Sequence, residues 1–191
     1  MTDTNAGQDL FAEARAAINN HGVIAYPTEA VFGLGCAPYD QLAVEKLLAL
    51  KRRPVDKGLI LIAANYSQLL DYVDDERIPG DKRFSVFSRW PGPVTLVLPA
   101  RKDTPTFLTG AFDTIAVRVT AFEPAARLCK ALGTPLVSTS ANHSGEAPLK
   151  TAADVKASFA GEVDWVMDEP VGTSSSPSQV INPLTGEVFR Q

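Results

Sequence analysis

The sequence predicts an α/β fold: a single domain over 1–191, built on one open, twisted, mixed sheet with flanking helices. Two observations carry this. Short apolar runs of strand length alternate with stretches of helical period, and several of the runs follow one another through turns. No polar linker, internal repeat or shift in composition divides the 191 residues, a length that suits one core.

The elements follow in order. Leu10, Phe11, Ala14, Ala17 and Ile18 recur at three- and four-residue steps, which predicts a helix over 8–20, ended by His21-Gly22. Gly22-Val23-Ile24-Ala25-Tyr26 predicts a strand that stops at Pro27, and the segment holding Gly33, Gly35 and Pro38 predicts turns. Leu42, Val44, Leu47, Leu48 and Leu50 cover most of the girth of a helix over 41–50, so it reads as well buried. Residues 51–57 are its exit, and Leu59-Ile60-Leu61-Ile62-Ala63 is a core strand. Short helices are expected at 67–73 and 81–90. Trp90-Pro91-Gly92-Pro93 is a rigid turn delivering a strand at 94–98. Residues 114–119 form a strand with one embedded charge, Arg118. A helix over 123–132 is closed by Gly133, and a strand covers 135–140. Thr151 and Asp154 resemble a capping box opening a helix to Phe159. The serine-rich 174–178 is a loop before strands at 180–181 and 188–189.

Composition excludes several function classes. Hydrophobic residues make up 45% and charged residues 21%, as in ordinary globular proteins. A net charge of −4 argues against a surface that binds nucleic acid throughout. Basic charge is instead local: Lys51, Arg52, Arg53 and Lys57 stand against Asp56 alone. Cys36 and Cys129 lack a CxxC spacing, which argues against a zinc ribbon or disulfide scaffold and reads them as small buried hydrophobes. Residues 1–5 carry no basic and apolar leader, and no apolar run approaches the ~20 residues of a membrane span, so a cytoplasmic protein without membrane contact is expected.

Two distant segments ask for the same ligand. Lys51-Arg52-Arg53-Pro54-Val55-Asp56-Lys57-Gly58 places cations beside a strand; Pro135-Leu136-Val137-Ser138-Thr139-Ser140-Ala141-Asn142 ends a strand in hydroxyls and an amide. Together they suit a polyphosphate and its nucleoside. Helix-dipole complementation explains Arg52, and local backbone satisfaction explains part of the hydroxyl run. No P-loop signature is present, so side chains and a metal ion, rather than a backbone cradle, would hold a triphosphate. Alternation puts Arg118 on the face opposite Val117 and Val119, the solvent face, where an exposed arginine is one outcome. A fixed guanidinium for a substrate carboxylate is the other. Thr28 reads as a turn residue, and His143 beside Ser144 is not a triad. Without a nucleophile–base pair, the chemistry that fits is positioning of reactants and charge stabilisation.

The pattern Lys51-x-Arg53, the pattern Ser140-x-Asn142 and the run Tyr26-Pro27-Thr28-Glu29-Ala30-Val31-Phe32-Gly33-Leu34-Gly35 resemble the YrdC-like family of threonylcarbamoyl-AMP synthases. The likeness runs through Trp90–Leu98, Phe112–Val119 and the tail Leu184-Thr185-Gly186-Glu187-Val188-Phe189-Arg190, and is greatest to the short bacterial form. It implies the YrdC-like fold with a positively charged concave cavity. It implies a nucleotidyltransferase that makes L-threonylcarbamoyl-AMP and pyrophosphate from L-threonine, bicarbonate or CO2, and ATP with Mg2+, the ion not being held by protein alone. The product would serve threonylcarbamoyladenosine modification of tRNAs reading codons that start with A. Threonylcarbamoyl-transferase complex proteins acting on tRNA would be the partners, with room for weak RNA binding.

By the same resemblance, Lys51, Arg53, Ser140 and Asn142 surround the nucleotide and its phosphates, with Lys51 and Arg53 offsetting charge in catalysis. Lys57, Thr114 and Arg190 also fall where ATP is bound, and Thr28, Arg118 and Ser138 where threonine is bound. Lys57 stands where many longer members carry asparagine, and Ser178-Gln179-Val180-Ile181-Asn182 departs from a common S-T-V-V-D pattern. An RNA-binding ribosome-maturation factor using the same basic cavity is one alternative. A carbamoyl-transfer module of hydrogenase maturation is a second, and that context brings cysteine-rich zinc fingers this chain lacks.

Overall fold

The computed structural model describes residues 10–191. It contains six α-helices: α1 (Ala12–Asn19), α2 (Gln41–Lys51), α3 (Gly80–Phe87), α4 (Thr106–Thr109), α5 (Glu123–Leu132) and α6 (Ala152–Ser158). Nine strands form one mixed sheet: β1 (Ile24–Pro27), β2 (Phe32–Gly35), β3 (Ile60–Ala63), β4 (Val94–Pro99), β5 (Thr114–Val119), β6 (Leu136–Ser140), β7 (Trp165–Val166), β8 (Gln179–Ile181) and β9 (Val188–Arg190). Their order is β7-β1-β2-β6-β3-β5-β4-β8-β9. The pairs β1–β7, β3–β5 and β4–β8 are parallel and the others antiparallel. This is the expected mixed α/β architecture.

Side chains alternate across each strand, so every strand serves two faces. One face is a continuous core: Ala25, Phe32, Leu34, Leu61, Ala63, Leu96, Leu98, Ile115, Val117, Val137 and Ile181 pack there with Val44 and Leu47 of α2 and Val155 of α6. The other face is covered only at one end. There Ile24 and Tyr26 of β1, Ile62 of β3 and Leu136 of β6 pack against Ala14 and Ile18 of α1 and Leu128 of α5. Strands buried on both faces read as unbroken apolar runs, which is why Val23-Ile24-Ala25-Tyr26 lacks alternation.

Caps place the helices. Asp40 opens α2, its Oδ1 accepting from Ala43 N–H at 3.1 Å. At the other end Arg52 takes the left-handed conformation (φ 47°), and Arg53 N–H donates to Leu48 O. Pro54 then cannot continue the helix. Pro124 lies in the first turn of α5, and Gly133 (φ 71°) closes it. Thr151 Oγ1 accepts from Asp154 N–H at 3.1 Å and donates to Asp154 Oδ2 at 2.6 Å, an N-cap at the position read from the sequence, closed through the two side chains.

Several expectations are corrected. The segment with Gly33 and Gly35 is strand β2, not turns, because backbone pairing to both β1 and β6 outweighs the glycines. The helix expected over 8–20 is described from Ala12, and Gln8 and Asp9 lie outside the described residues, as do residues 1–5. Residues 66–69 form a 3-10 turn rather than an α-helix over 67–73. Helix α3 ends at Phe87, and β7 and α4 were not anticipated. Helix α2 is less buried than expected, with Leu42 60% exposed. Cys36 and Cys129 are buried and unpaired. Burial raises both thiols, Cys129 to about 12, which keeps them unreactive. No helix among the described residues is long and apolar enough to cross a membrane.

One close approach ties the exit of α2 to the start of β5. Gly110 has φ +66°, and a Cβ there would lie 2.4 Å from Asp56 O and 2.5 Å from Gly58 N. A side chain meets backbone there, so nothing flexible can yield. Gly110→Ala is expected to cost about 2–4 kcal/mol and lower Tm by about 5–15 °C. A thermal melt within 2 °C of the parent would show that the loop is not held this tightly.

Candidate functional site

The uncovered half of the sheet's second face is the site. Pairing brings Ile60 of β3 beside Ala116 and Ser138, Ile62 beside Arg118, and Gly33 of β2 beside Ser140. The two-residue period then lifts Ser138, Ser140 and Arg118 on the same side. A cavity of about 230 Å³ opens over them, lined also by Thr28, Glu29, Arg53, Ser178 and Arg190. A second cavity of about 390 Å³ shares Arg53, Leu59, Ile60 and Arg190 with the first. Its other walls hold Lys57, Thr114, Val97, Ala116, Val180, Phe112 and Phe189.

Eight of the ten residues singled out from the sequence therefore line one of these two adjoining spaces: Thr28, Arg53, Arg118, Ser138, Ser140 and Arg190 the first, Lys57 and Thr114 the second. Lys51 and Asn142 line neither; they stand behind Ser140. Lys51 ends α2 at 8% exposure and spends its ammonium on three oxygens: Ser140 O and Asn142 O, each at 2.6 Å, and Asn142 Oδ1 at 2.8 Å. Ser140 Oγ donates to the same Asn142 Oδ1 at 2.6 Å, and Asn142 Nδ2 donates to His143 O and Glu146 O. The two sequence patterns are thus one hydrogen-bonded network. Burial, and then the Arg53 guanidinium, lower the Lys51 pKa to about 8.

Arg53 is less satisfied. Its Nη2 donates to Gly58 O at 2.9 Å, while Nε is buried without a partner. Burial lowers its pKa as well. A buried guanidinium N–H with no acceptor is rare, and Arg127 Nε is a second one among the described residues. Arg190 is anchored at the rim: Nε donates to Ser178 O at 2.9 Å, Nη2 to Ser178 Oγ at 3.1 Å, and Thr95 Oγ1 bonds that same Oγ at 2.9 Å.

Arg118 corrects the alternation argument. It does lie opposite Val117 and Val119, but that face is the cavity wall and not solvent; Arg118 is 6% exposed. Its Nη1 donates to Glu29 Oε2 at 2.9 Å. Glu29 is a site residue that sequence reasoning missed. The available signal was a lone carboxylate beside Thr28, just past the apolar strand that stops at Pro27. Thr28 Oγ1 donates to Val31 O at 2.7 Å, so it closes the β1–β2 turn while facing the cavity.

Other polar residues have ordinary roles. The His143 ring packs on Phe159 with 4.5 Å between centroids, as expected of a residue outside any triad. Arg52 lines neither cavity; it faces an open groove with Gln41 and Glu45 that meets them only through Arg53. Among the described residues no three His, Cys, Asp or Glu side chains gather to hold a metal ion. Among the described residues Glu29 is the only acid in the lining of the first cavity, and the second has none.

Comparison with known proteins identifies the family. The pattern of the Sua5/YciO/YrdC family, described as telomere recombination, matches residues 16–191. A threonylcarbamoyl-AMP synthase of Idiomarina loihiensis is 62% identical over 182 residues, covering 95% of this chain and 97% of the relative. The enzyme of that name from Klebsiella pneumoniae is 52% identical over 189 residues, covering 99% of each. A crystal structure of P. abyssi Sua5 complexed with L-threonine superposes with a TM-score of 0.80 at 35% identity, over 88% of this chain and 49% of that one. On the sheet order, the paired patterns around Lys51 and Asn142 and these matches, the chain belongs to the Sua5/YciO/YrdC family.

Proposed function

We propose that the protein is an L-threonylcarbamoyl-AMP synthase: it condenses L-threonine, bicarbonate or CO2, and ATP, and releases pyrophosphate. The names carried by near-full-length relatives support this activity. The observation that carries it in the structure is the pair of adjoining cavities whose shared wall includes the cations of Arg53 and Arg190. Such a site can hold two reactants, one of them anionic, at bonding distance.

The walls support one placement of the reactants. Arg118, with Thr28 and Ser138, takes the threonine carboxylate in the first cavity. The triphosphate lies along Arg53 and Ser140, with Arg190 at the rim. The nucleoside enters the second cavity, where Thr114 and Lys57 supply polar contacts and Phe112 and Phe189 an apolar wall. ATP brings Mg2+ on its own phosphates, since this ion retains waters and needs few protein ligands. Lys51 acts from behind, fixing the Ser140–Asn142 bend and adding positive charge to it.

The reaction then asks little covalent work of the protein. The threonine ammonium first gives up a proton; the free amine then attacks CO2, the N–C bond forms, and loss of a second proton to solvent leaves a carbamate. A carbamate oxygen attacks the α-phosphorus, the bond to the β-phosphate oxygen breaks, and pyrophosphate leaves. Two anions must meet, and the Arg53 and Lys51 cations offset their repulsion in a site largely out of water. The product serves threonylcarbamoyl modification of tRNA in the cytoplasm through separate transferase proteins. The geometry favours this over an RNA-binding role, because the basic groups converge inside cavities of about 230 and 390 Å³, small-molecule dimensions rather than those of a strand-tracking groove.

Three measurements check the reading. Pyrophosphate release from ATP is expected to require both L-threonine and bicarbonate, with a labile threonyl adduct of AMP visible by mass spectrometry; equal release with either omitted would sink the assignment. Arg53→Ala and Lys51→Ala should each lower turnover by about 10²-fold, as removal of a charge-stabilising donor does. Arg52→Ala should stay within about twofold, since its side chain lies outside both cavities. Equal losses at all three positions would mean that the basic run acts only as bulk charge.

The third concerns pH. In the free protein the Lys51 pKa is lowered to about 8, and a bound polyphosphate favours the charged form and raises it again. ATP binding should therefore take up protons near pH 8–9, and ATP affinity should fall as pH rises through about 8. Calorimetry in buffers of different ionisation enthalpy reads this directly. Lys51→Arg should abolish the uptake; uptake that persists in that variant would assign it to another group.

A further inference from the structure

Among the described residues, the turn between β1 and β2 holds the one carboxylate that lines the Arg118 cavity, Glu29, and holds it firmly. Ser174 N–H donates to Glu29 O and Gly172 N–H to Thr28 O, both at 2.9 Å. The chain at Gly172 passes so close that a Cβ there would lie 2.6 Å from Glu29 O. The side chain is fixed as well. Oε2 accepts from Arg118 Nη1 at 2.9 Å, and Oε1 accepts from Thr120 Oγ1 at 2.8 Å. Thr120 Oγ1 in turn accepts from Phe122 N–H at 3.0 Å, which leaves its hydroxyl proton for Glu29.

This ion pair has bonding capacity to spare. A carboxylate offers about four lone-pair positions and a guanidinium five N–H groups. Among the described residues Glu29 uses two such positions and Arg118 one. Both side chains line the same cavity, at 16% and 7% exposure, so a ligand there meets a fixed anion beside a fixed cation. An α-amino acid carries the matching pair, an ammonium beside a carboxylate. An acid without the amine carries only half of it.

We propose that Glu29 is the counter-charge for the substrate ammonium, so that the Arg118–Glu29 pair reads the amino acid as a zwitterion. This rests on the reading of Arg118 as the carboxylate holder. Without the Glu29 charge, a bound ammonium would face Arg118, Arg53 and Arg190 with no anion of the lining to offset them. The pair therefore gives selectivity for amino acids over hydroxy acids of the same shape. A carboxylate that merely anchored Arg118 would serve both kinds of ligand alike.

Ligand-observed NMR titrations of L-threonine and of 3-hydroxybutyrate, which is threonine without its amine, separate the two roles. Glu29→Gln is expected to weaken L-threonine by about 10-fold or more, the loss of one charge-assisted bond, and to leave 3-hydroxybutyrate unchanged or tighter. Arg118→Ala should weaken both. Equal weakening of both ligands by Glu29→Gln would reduce Glu29 to an anchor and overturn the proposal, as would no change in either. Arg118→Ala that spares both ligands would remove the carboxylate site itself, and the proposal with it, a failure distinct from that of Glu29 alone. Should Glu29→Gln not fold, Glu29→Asp keeps the charge at shorter reach and should lose part of its threonine affinity only, with an equal loss for 3-hydroxybutyrate again counting against it.

Discussion

Everything in this molecule depends on a sheet that is fully covered on one face and half covered on the other. The covered face takes alternate residues of β2–β6 and β8 into one core with α2 and α6. On the second face α1 and α5 reach only Ile24, Tyr26, Ile62 and Leu136. The remaining side chains of that face, among them Ser138, Ser140, Arg118 and Thr114, are held by the same backbone pairing but have no helix over them. A binding site results from stopping the helical layer short. Strand residues locked by packing on their opposite side hold their positions better than loop residues do.

The charges inside are arranged to be usable. Lys51 could have been an ordinary cation in a last helical turn, but its ammonium binds three oxygens of the 140–142 bend and so joins α2 to the end of β6. Arg53, two residues on, escapes that network because Arg52 turns left-handed and Pro54 ends the helix. One cation thus builds the wall and the other lines the cavities. Arg118 and Glu29 are a third arrangement, two opposed charges paired in the wall of one cavity. Losing one partner of such a pair leaves the other charged and poorly solvated, so sites of this kind tolerate few substitutions.

How much of this was legible in the chain differs by element. Helix α5 was readable at both ends, since Pro124 and Gly133 act within one turn of the backbone they shape. The cap joining Thr151 and Asp154 was readable for the same reason. Strand β2 was not: two glycines in four residues carry a turn signal, and only pairing with β1 and β6 makes Phe32–Gly35 a strand. The short β7 was not legible either, because two residues show no period.

The sequence by itself determined which residue types the site could use. The Lys51–Arg53 and Ser140–Asn142 patterns, the lone Arg118 in an apolar strand and the hydroxyls of Ser138 and Thr28 are all local facts of the chain. Tertiary structure alone decided what those residues do with one another. Arg118 sits on the face that alternation assigned to it, yet whether that face meets water or a cavity depends on where α1 and α5 end and on the chain at 172–178, far away in sequence. Glu29 acquired its meaning only when β3 and β5 brought Arg118 and Thr120 to it, 89 and 91 residues on. Local chemistry sets propensity over a few residues; the partner of a charge is set by packing, which no short window of sequence contains.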